Sequence, residues 1–149
     1  MKIRNLKKEE FGQFIELHEK IFVPLWKKIG REYNLDSIKR SLNQSFDSGK
    51  WGFIAAEENG KIVGCSVSQI QSNAIYGKNI LYIYILVVDP DCQKTGIGKS
   101  LMENEEKFAK SQNIDILQLE VSIRNLDAIK FYEKLGYKTI RNKMEKKLA

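Results

Sequence analysis

The sequence predicts a mixed α/β fold: one central sheet, mostly antiparallel, with helices packed against it. Three observations predict it. The apolar period is helical over residues 8–46 and becomes alternating over 51–71. Asn59-Gly60 divides the alternating stretch where a type I′ hairpin turn needs two positive φ angles. From Ile80 onward, strand-like and helix-like segments alternate, the pattern of crossover connections rather than of more hairpins.

The elements follow in order. Ile3–Leu6 reads as a short first strand. Lys8–Phe22 reads as a helix, with Phe11, Phe14, Ile15, His18 and Phe22 on one face, and Pro24 is expected to end or bend it. Leu35–Phe46 reads as a second helix, with Leu35, Ile38, Leu42 and Phe46 in one stripe and Asn34 or Asp36 as its cap. Trp51–Glu57 and Lys61–Gln71 are the hairpin strands. Ile80–Val88 is apolar, β-branched and aromatic throughout, as a strand buried on both faces would be. Gly96–Gln112 is the strongest helix. Ile114–Ser122 is another strand, Leu126–Leu135 a helix closed by Gly136, and Tyr137–Ile140 and Met144–Leu148 are expected to be closing strands.

Composition is that of an ordinary globular protein: 149 residues, 42% hydrophobic and 30% charged, enough for one domain over residues 1–149 with a real core. The net charge of +6 suits an anionic ligand without naming one. The basic residues are dispersed and form no stripe interleaved with aromatics, so nucleic acid is not the expected partner. Cys65 and Cys92 form no CxxC pair and His18 is the only histidine, so no zinc site and no metal is expected. Met1–Phe11 has no apolar leader and Ile83–Val88 is far too short to span a bilayer. The expected location is therefore the cytoplasm, with free thiols.

The segment from Val87 to Leu101 carries the first chemical signal. A buried strand ends at Asp89-Pro90, a short loop with Gly96 and Gly98 follows, and a helix begins. Glycines let backbone approach a ligand, and the first turn of a helix has unpaired N–H groups at its positive end, so this is an anion site suited to phosphate. A P-loop would need glycine at Gln93, and a dinucleotide fingerprint would need it at Leu101; both fail. The pattern [RQ]-x-x-G-x-[GA] is met in full by Gln93-Lys94-Thr95-Gly96-Ile97-Gly98. Cys92, just before the loop, has no histidine beside it in sequence and reads as an incidental thiol; His18 reads as packing.

A second motif follows at Asn125-Leu126-Asp127-Ala128-Ile129-Lys130-Phe131-Tyr132-Glu133-Lys134-Leu135-Gly136-Tyr137, which fits N-x-x-A-x-x-[LF]-Y-x-x-x-G-[FY] after a strand. Together the two motifs resemble the signatures of the GNAT family of N-acetyltransferases, strongly over Ile80–Tyr137 and only in element order before it. The resemblance implies the family fold, in which a parallel strand pair splays apart, and it implies acetyl-CoA as cosubstrate. The backbone of Leu86, Val87 and Val88 would pair with the pantetheine arm as a strand would. Gln93, Lys94, Thr95, Gly96, Ile97, Gly98 and Lys99 would hold the pyrophosphate, with Ser100 adding a hydroxyl. Asn125 would meet the pantetheine or adenosine side, and Tyr132 would point its phenol at the sulfur.

Acetyl transfer to an amine needs a base, donors for the oxyanion and a proton for the leaving thiolate. A phenol of ordinary pKa near 10 keeps its proton at neutral pH, so Tyr132 is the candidate acid. Glu120 is the candidate base; it resembles the glutamate five residues before the asparagine in ribosomal-protein N-terminal acetyltransferases. The earlier strand offers Tyr82 and Tyr84 and no acid. The backbone N–H of Val88, beside a bulge expected before Pro90, is the candidate oxyanion donor. Trp26, Tyr33, Trp51 and Tyr84 are the candidate acceptor-pocket residues. The acceptor is a primary amine of a small molecule, a peptide N-terminus or a protein lysine. A CoA-binding regulatory domain without turnover is the alternative, and a homodimer fits the family.

Overall fold

The computed structural model describes all 149 residues. Its sheet has five strands in sequence order: β1 (Lys2–Asn5), β2 (Gly52–Glu58), β3 (Lys61–Asn73), β4 (Lys78–Val88) and β5 (Leu117–Leu119). The first four pair antiparallel, and β5 joins β4 in parallel. The β2–β3 turn places Asn59 at φ 51° and Gly60 at φ 76°, the two positive angles expected from the sequence.

Helices cover both faces. On one lie α1 (Phe11–Lys28) and α2 (Leu35–Ser48). Phe14, Ile15, Leu17 and Leu42 pack there against Phe53, Ala55, Cys65, Val67, Ile85 and Val87. On the other lie α3 (Ile97–Ser111) and α4 (Leu126–Lys134). Ile97 and Leu101 of α3 seat on Ala56 and Val63, while Met102 and Ala109 meet Leu81 and Ile83. β3 is therefore buried without a break from Ile62 to Ser68.

Two bulges set which residues face which layer. Val63 is the extra residue on β3, between the pairs Ala56–Gly64 and Glu57–Ile62. Tyr84 is the extra residue on β4, between Val67–Ile85 and Ser68–Ile83. A bulge of one residue inverts the alternation of all that follows. Hence Leu81 and Ile83 belong to the α3 side, whereas Ile85 and Val87 belong to the α1 side. The sequence expectation placed a bulge next to Val88; it lies at Tyr84 instead, where β4 starts to separate from β5.

Three further expectations are corrected. Pro24 does not end the first helix, which runs on to Lys28. A proline removes only one helical hydrogen bond; beyond it, Trp26 packs on Tyr33 and the last turn is closed by Ile29, Gly30 and Arg31 donating to the carbonyls of Leu25, Lys27 and Trp26. β5 is three residues long rather than spanning 114–122, because its one partner, β4, leaves it after Ile83–Leu119. Tyr137–Ile140 and Met144–Leu148 form no strands, and every residue from Lys138 on is exposed. That tail is tied down by side chains instead: Lys143 pairs with Glu120, and Arg31 with Glu145.

Candidate functional site

The site begins at a fork in the sheet. β5 stops at Leu119 while β4 runs on to Val88, so on that side Tyr84–Val88 have no neighbouring strand. Their other side is held by β3, with Leu86, Val87 and Val88 opposite Ser66, Cys65 and Gly64. The open edge is a ladder of backbone groups fit to receive an extended, amide-bearing ligand. The Gln93 side-chain amide donates to the Val88 carbonyl at 3.4 Å and so closes the far end of this edge.

The loop after β4 is fixed by local bonds. Asp89 is buried; its carboxylate accepts from Lys20 at 3.0 Å and from the Asp91 N–H at 3.1 Å, and its own N–H donates to Val63 at 2.8 Å. Those partners hold the Asp89 carboxyl below the usual carboxylate range. A 3-10 turn over Pro90–Cys92 follows, and Thr95 donates its hydroxyl to the Cys92 carbonyl. Lys94 (φ 65°) and Gly96 (φ 88°) are both left-handed, and the Ser100 N–H makes the first helical bond of α3, to Gly96 at 3.0 Å. The N–H groups of Ile97, Gly98 and Lys99 precede that bond and are the unpaired donors of the helix start.

The two glycines serve different ends. Gly96 supplies a backbone angle, with nothing within 4 Å of where a Cβ would stand. At Gly98 a Cβ would sit 3.3 Å from Phe131 Cζ and 3.6 Å from Val88 Cγ2, so its smallness lets α4 approach the start of α3. The two sequence motifs are thus in contact at Gly98 and Phe131.

Tyr132 reaches the α3 side of the fork from α4. Its ring lies edge-on to Phe131 at 5.2 Å and Tyr137 at 5.7 Å, in the cluster with Leu81, Ile83 and Met102. Burial pushes its phenol up to about 12, so the proton stays on at neutral pH. Asn125 caps α4 by accepting from the Ala128 N–H at 3.3 Å, which commits its carbonyl oxygen to the helix.

The other side of the fork is aromatic. Trp51 is edge-on to Tyr84 at 5.3 Å, Tyr84 lies 6.4 Å from Tyr82, and Trp26 is 5.9 Å from Tyr33. Trp51, Tyr84 and Tyr82 thus form one aromatic group and Trp26 and Tyr33 a second; burial raises the Tyr33 phenol, with Tyr84 adding to the rise. Glu120 lies one residue past β5 and 64% exposed, at the point of divergence. Burial lifts Tyr82 to about 12, with the Glu120 carboxylate and Tyr84 adding to the rise. In the β4–β5 register Gln118 lies opposite Tyr82, and Glu120, two residues on, is the first residue beyond the last paired position.

Two features escaped the sequence reading. Tyr82 stands with Tyr84, 6.4 Å away, because residues i and i+2 of a strand share a face; the sequence signals this only once the strand's outer face is known. His18 is 3% exposed and shares a hydrogen bond with the Tyr33 hydroxyl. It stacks on Phe22 at 4.4 Å, and its Nδ1 is buried with no partner. Nothing in the chain's local pattern pairs residue 18 with residue 33.

Comparisons with known proteins bear on the family and the fold. A family model described as "Acetyltransferase (GNAT) family" matches residues 11–137. An uncharacterized N-acetyltransferase of Methanocaldococcus jannaschii is 32% identical over 91% of this chain and 59% of its own length. A mycothiol acetyltransferase of Saccharomonospora viridis is 24% identical over 80% of this chain and 40% of its own. The chain thus spans about half the length of these relatives. Among solved structures, an aminoglycoside 6'-N-acetyltransferase of Acinetobacter haemolyticus superposes with a TM-score of 0.79 at 14% identity, covering all of both chains, a likeness of fold.

Proposed function

Because the chain belongs to the GNAT family of acetyltransferases, we propose that it transfers an acetyl group from acetyl-CoA to a primary amine on a small molecule, a peptide N-terminus or a protein lysine. The observation that carries this is the fork: an unpaired β4 edge at Tyr84–Val88 runs directly into the free donors at the start of α3. The residues fit the cosubstrate. The Leu86–Val88 edge would hold an amide-bearing arm, and the N–H groups from Lys94 to Lys99, with Ser100 beside them, would hold a pyrophosphate. Exposed Lys94 and Lys99 add positive charge there. When bound, acetyl-CoA supplies an activated thioester.

The protein's own residues do the rest. Glu120 takes a proton from the ammonium of the acceptor, which otherwise keeps it up to a pKa of about 10. Tyr132 keeps its proton until a thiolate needs one. Trp26, Tyr33, Trp51, Tyr82 and Tyr84 form the wall against which an acceptor side chain rests, and an aromatic wall beside a carboxylate favours a cation.

The test is the thermal midpoint with acetyl-CoA, with ATP and with NAD in parallel. At a hundred times its dissociation constant a ligand adds about 2.7 kcal/mol. A rise of several degrees with acetyl-CoA alone, followed by thiol release when amines are added, is the expected result. A rise without release for any amine would leave a CoA-binding domain of the same fold. No rise would remove the cosubstrate from the proposal.

A further inference from the structure

The tail beyond α4 is paired with the end of β5 and with the loop between α1 and α2. Lys143 places its ammonium 3.5 Å from Glu120 Oε2, and two residues on Glu145 is paired with Arg31, in the loop between α1 and α2. Arg124, just past Glu120, donates to the Ile29 carbonyl of that same loop at 3.3 Å. The tail, the end of β5 and the acceptor loop are thereby bound together around Glu120. In the parallel register Ile83 faces Leu119, so Glu120 is the first residue beyond the last paired position, where the strands part.

Lys143 is therefore a primary amine held against the carboxylate that the proposed reaction uses to deprotonate a primary amine. Of the basic residues in the tail it is the one paired with Glu120; Lys138, Arg141, Lys146 and Lys147 make no ion pair with it. An exposed ion pair of this kind is weak, so Lys143 is held loosely enough to leave and return. Its tether nevertheless keeps its effective concentration at the site far above that of a free amine.

We propose that Lys143 is a self-acetylation site: in the absence of an external acceptor its amine occupies the acceptor position beside Glu120 and takes the acetyl group from acetyl-CoA. This rests on the reading of Glu120 as the base. The step balances. Glu120 takes one proton from the Lys143 ammonium, and the freed lone pair forms the N–C bond to the acetyl carbonyl. The C–S bond breaks with its electrons on sulfur, Tyr132 gives the thiolate a proton, and the second amine proton is lost to solvent, which reprotonates Tyr132. Glu120 passes the proton it took to solvent and returns to its carboxylate. The products are N-acetyl-Lys143 and CoA. The acetylated side chain has no charge to pair with Glu120, so the carboxylate is released to an external amine.

The juxtaposition is tested first without any cosubstrate. A zero-length carbodiimide is expected to join Glu120 to Lys143 in the full chain, read by peptide mapping. The full chain is then incubated with acetyl-CoA alone and mapped. Lys143 is expected to fill before Lys138, Lys146 and Lys147, at a rate per molecule that does not change with protein concentration. Glu120→Gln is expected to reduce Lys143 uptake to the level of those three lysines, and Tyr132→Phe to slow it. Even labelling of all tail lysines, or a rate proportional to protein concentration, overturns the proposal. If Lys143 stays unlabelled while an external amine is acetylated and Glu120→Gln abolishes that turnover, self-acetylation is refuted and the base assignment stands. If thiol release from every amine survives Glu120→Gln, the base assignment has failed and the proposal falls with it.

Discussion

His18 stays neutral in the folded protein because the ring is enclosed by Phe14 and Phe22 and its Nδ1 has no partner to share a charge with. Burial lowers its pKa from 6.5 to about 4. Between those values the unfolded chain binds a proton that the folded one refuses, so stability falls as pH drops through that window and is unaffected by His18 above it. The shift corresponds to about 3 kcal/mol lost by pH 4. Denaturant midpoints of the wild type and His18→Gln should converge or cross as pH falls from 7 to 4; parallel curves would mean His18 titrates alike in both states. Tyr132 is the reverse case, a group whose burial preserves the proton that the proposed reaction asks it to give. Tyr132→Phe should lower kcat about 10- to 100-fold with little change in acetyl-CoA affinity, as loss of a general acid does. Unchanged turnover would take Tyr132 out of the chemistry.

At the scale of elements, the position of α3 decides where the proposed anion site lies. Gly64 on β3 lets it settle: a Cβ there would stand 2.9 Å from Ile97 Cγ2, 3.1 Å from Leu101 Cδ1 and 3.1 Å from the Val87 carbonyl oxygen. Further along, the buried Glu105 carboxylate of α3 accepts from Ser66 at 2.6 Å and Ser68 at 2.8 Å. Burial raises the Glu105 pKa, and the two hydroxyls that favour the carboxylate do not cancel that rise. Gly64→Ala must push Ile97 and Leu101 away, with the backbone oxygen unable to yield. Overpacking of this kind costs about 1–3 kcal/mol. The variant should melt lower and bind acetyl-CoA more weakly, since Ile97 is the first residue of α3; a midpoint equal to wild type would show that α3 has room to shift.

Over the whole molecule, backbone pairing is dense in the centre of the sheet and absent at the end of the chain. β3 is paired on both sides and covered on both faces, whereas residues 138–149 are exposed and outside any strand. Amide exchange should therefore be slowest over residues 63–68 and fast over 138–149. Protection in the tail matching that of β4 would restore the closing strands expected at Tyr137–Ile140 and Met144–Leu148. Much was legible in the chain beforehand. Asn59-Gly60 set the hairpin, the change of period separated helices from strands, and the Gly96–Gly98 and Asn125–Tyr137 motifs marked the left-handed turn into α3 and the capped helix α4, because each depends on neighbours close in sequence. Pro24 misled because a tertiary contact, Trp26 on Tyr33, carries the helix past it. The tail misled because a strand pattern states only what could pair, and pairing requires a partner edge. The sequence by itself determined the order of elements, the family signatures and the residue types of the site. Only the tertiary structure decided the bulge at Tyr84 that divides β4 between the two helix layers, the burial that keeps His18 neutral and Tyr132 protonated, and the meeting of Lys143 with Glu120, because these depend on long-range packing and desolvation that local periodicity does not encode.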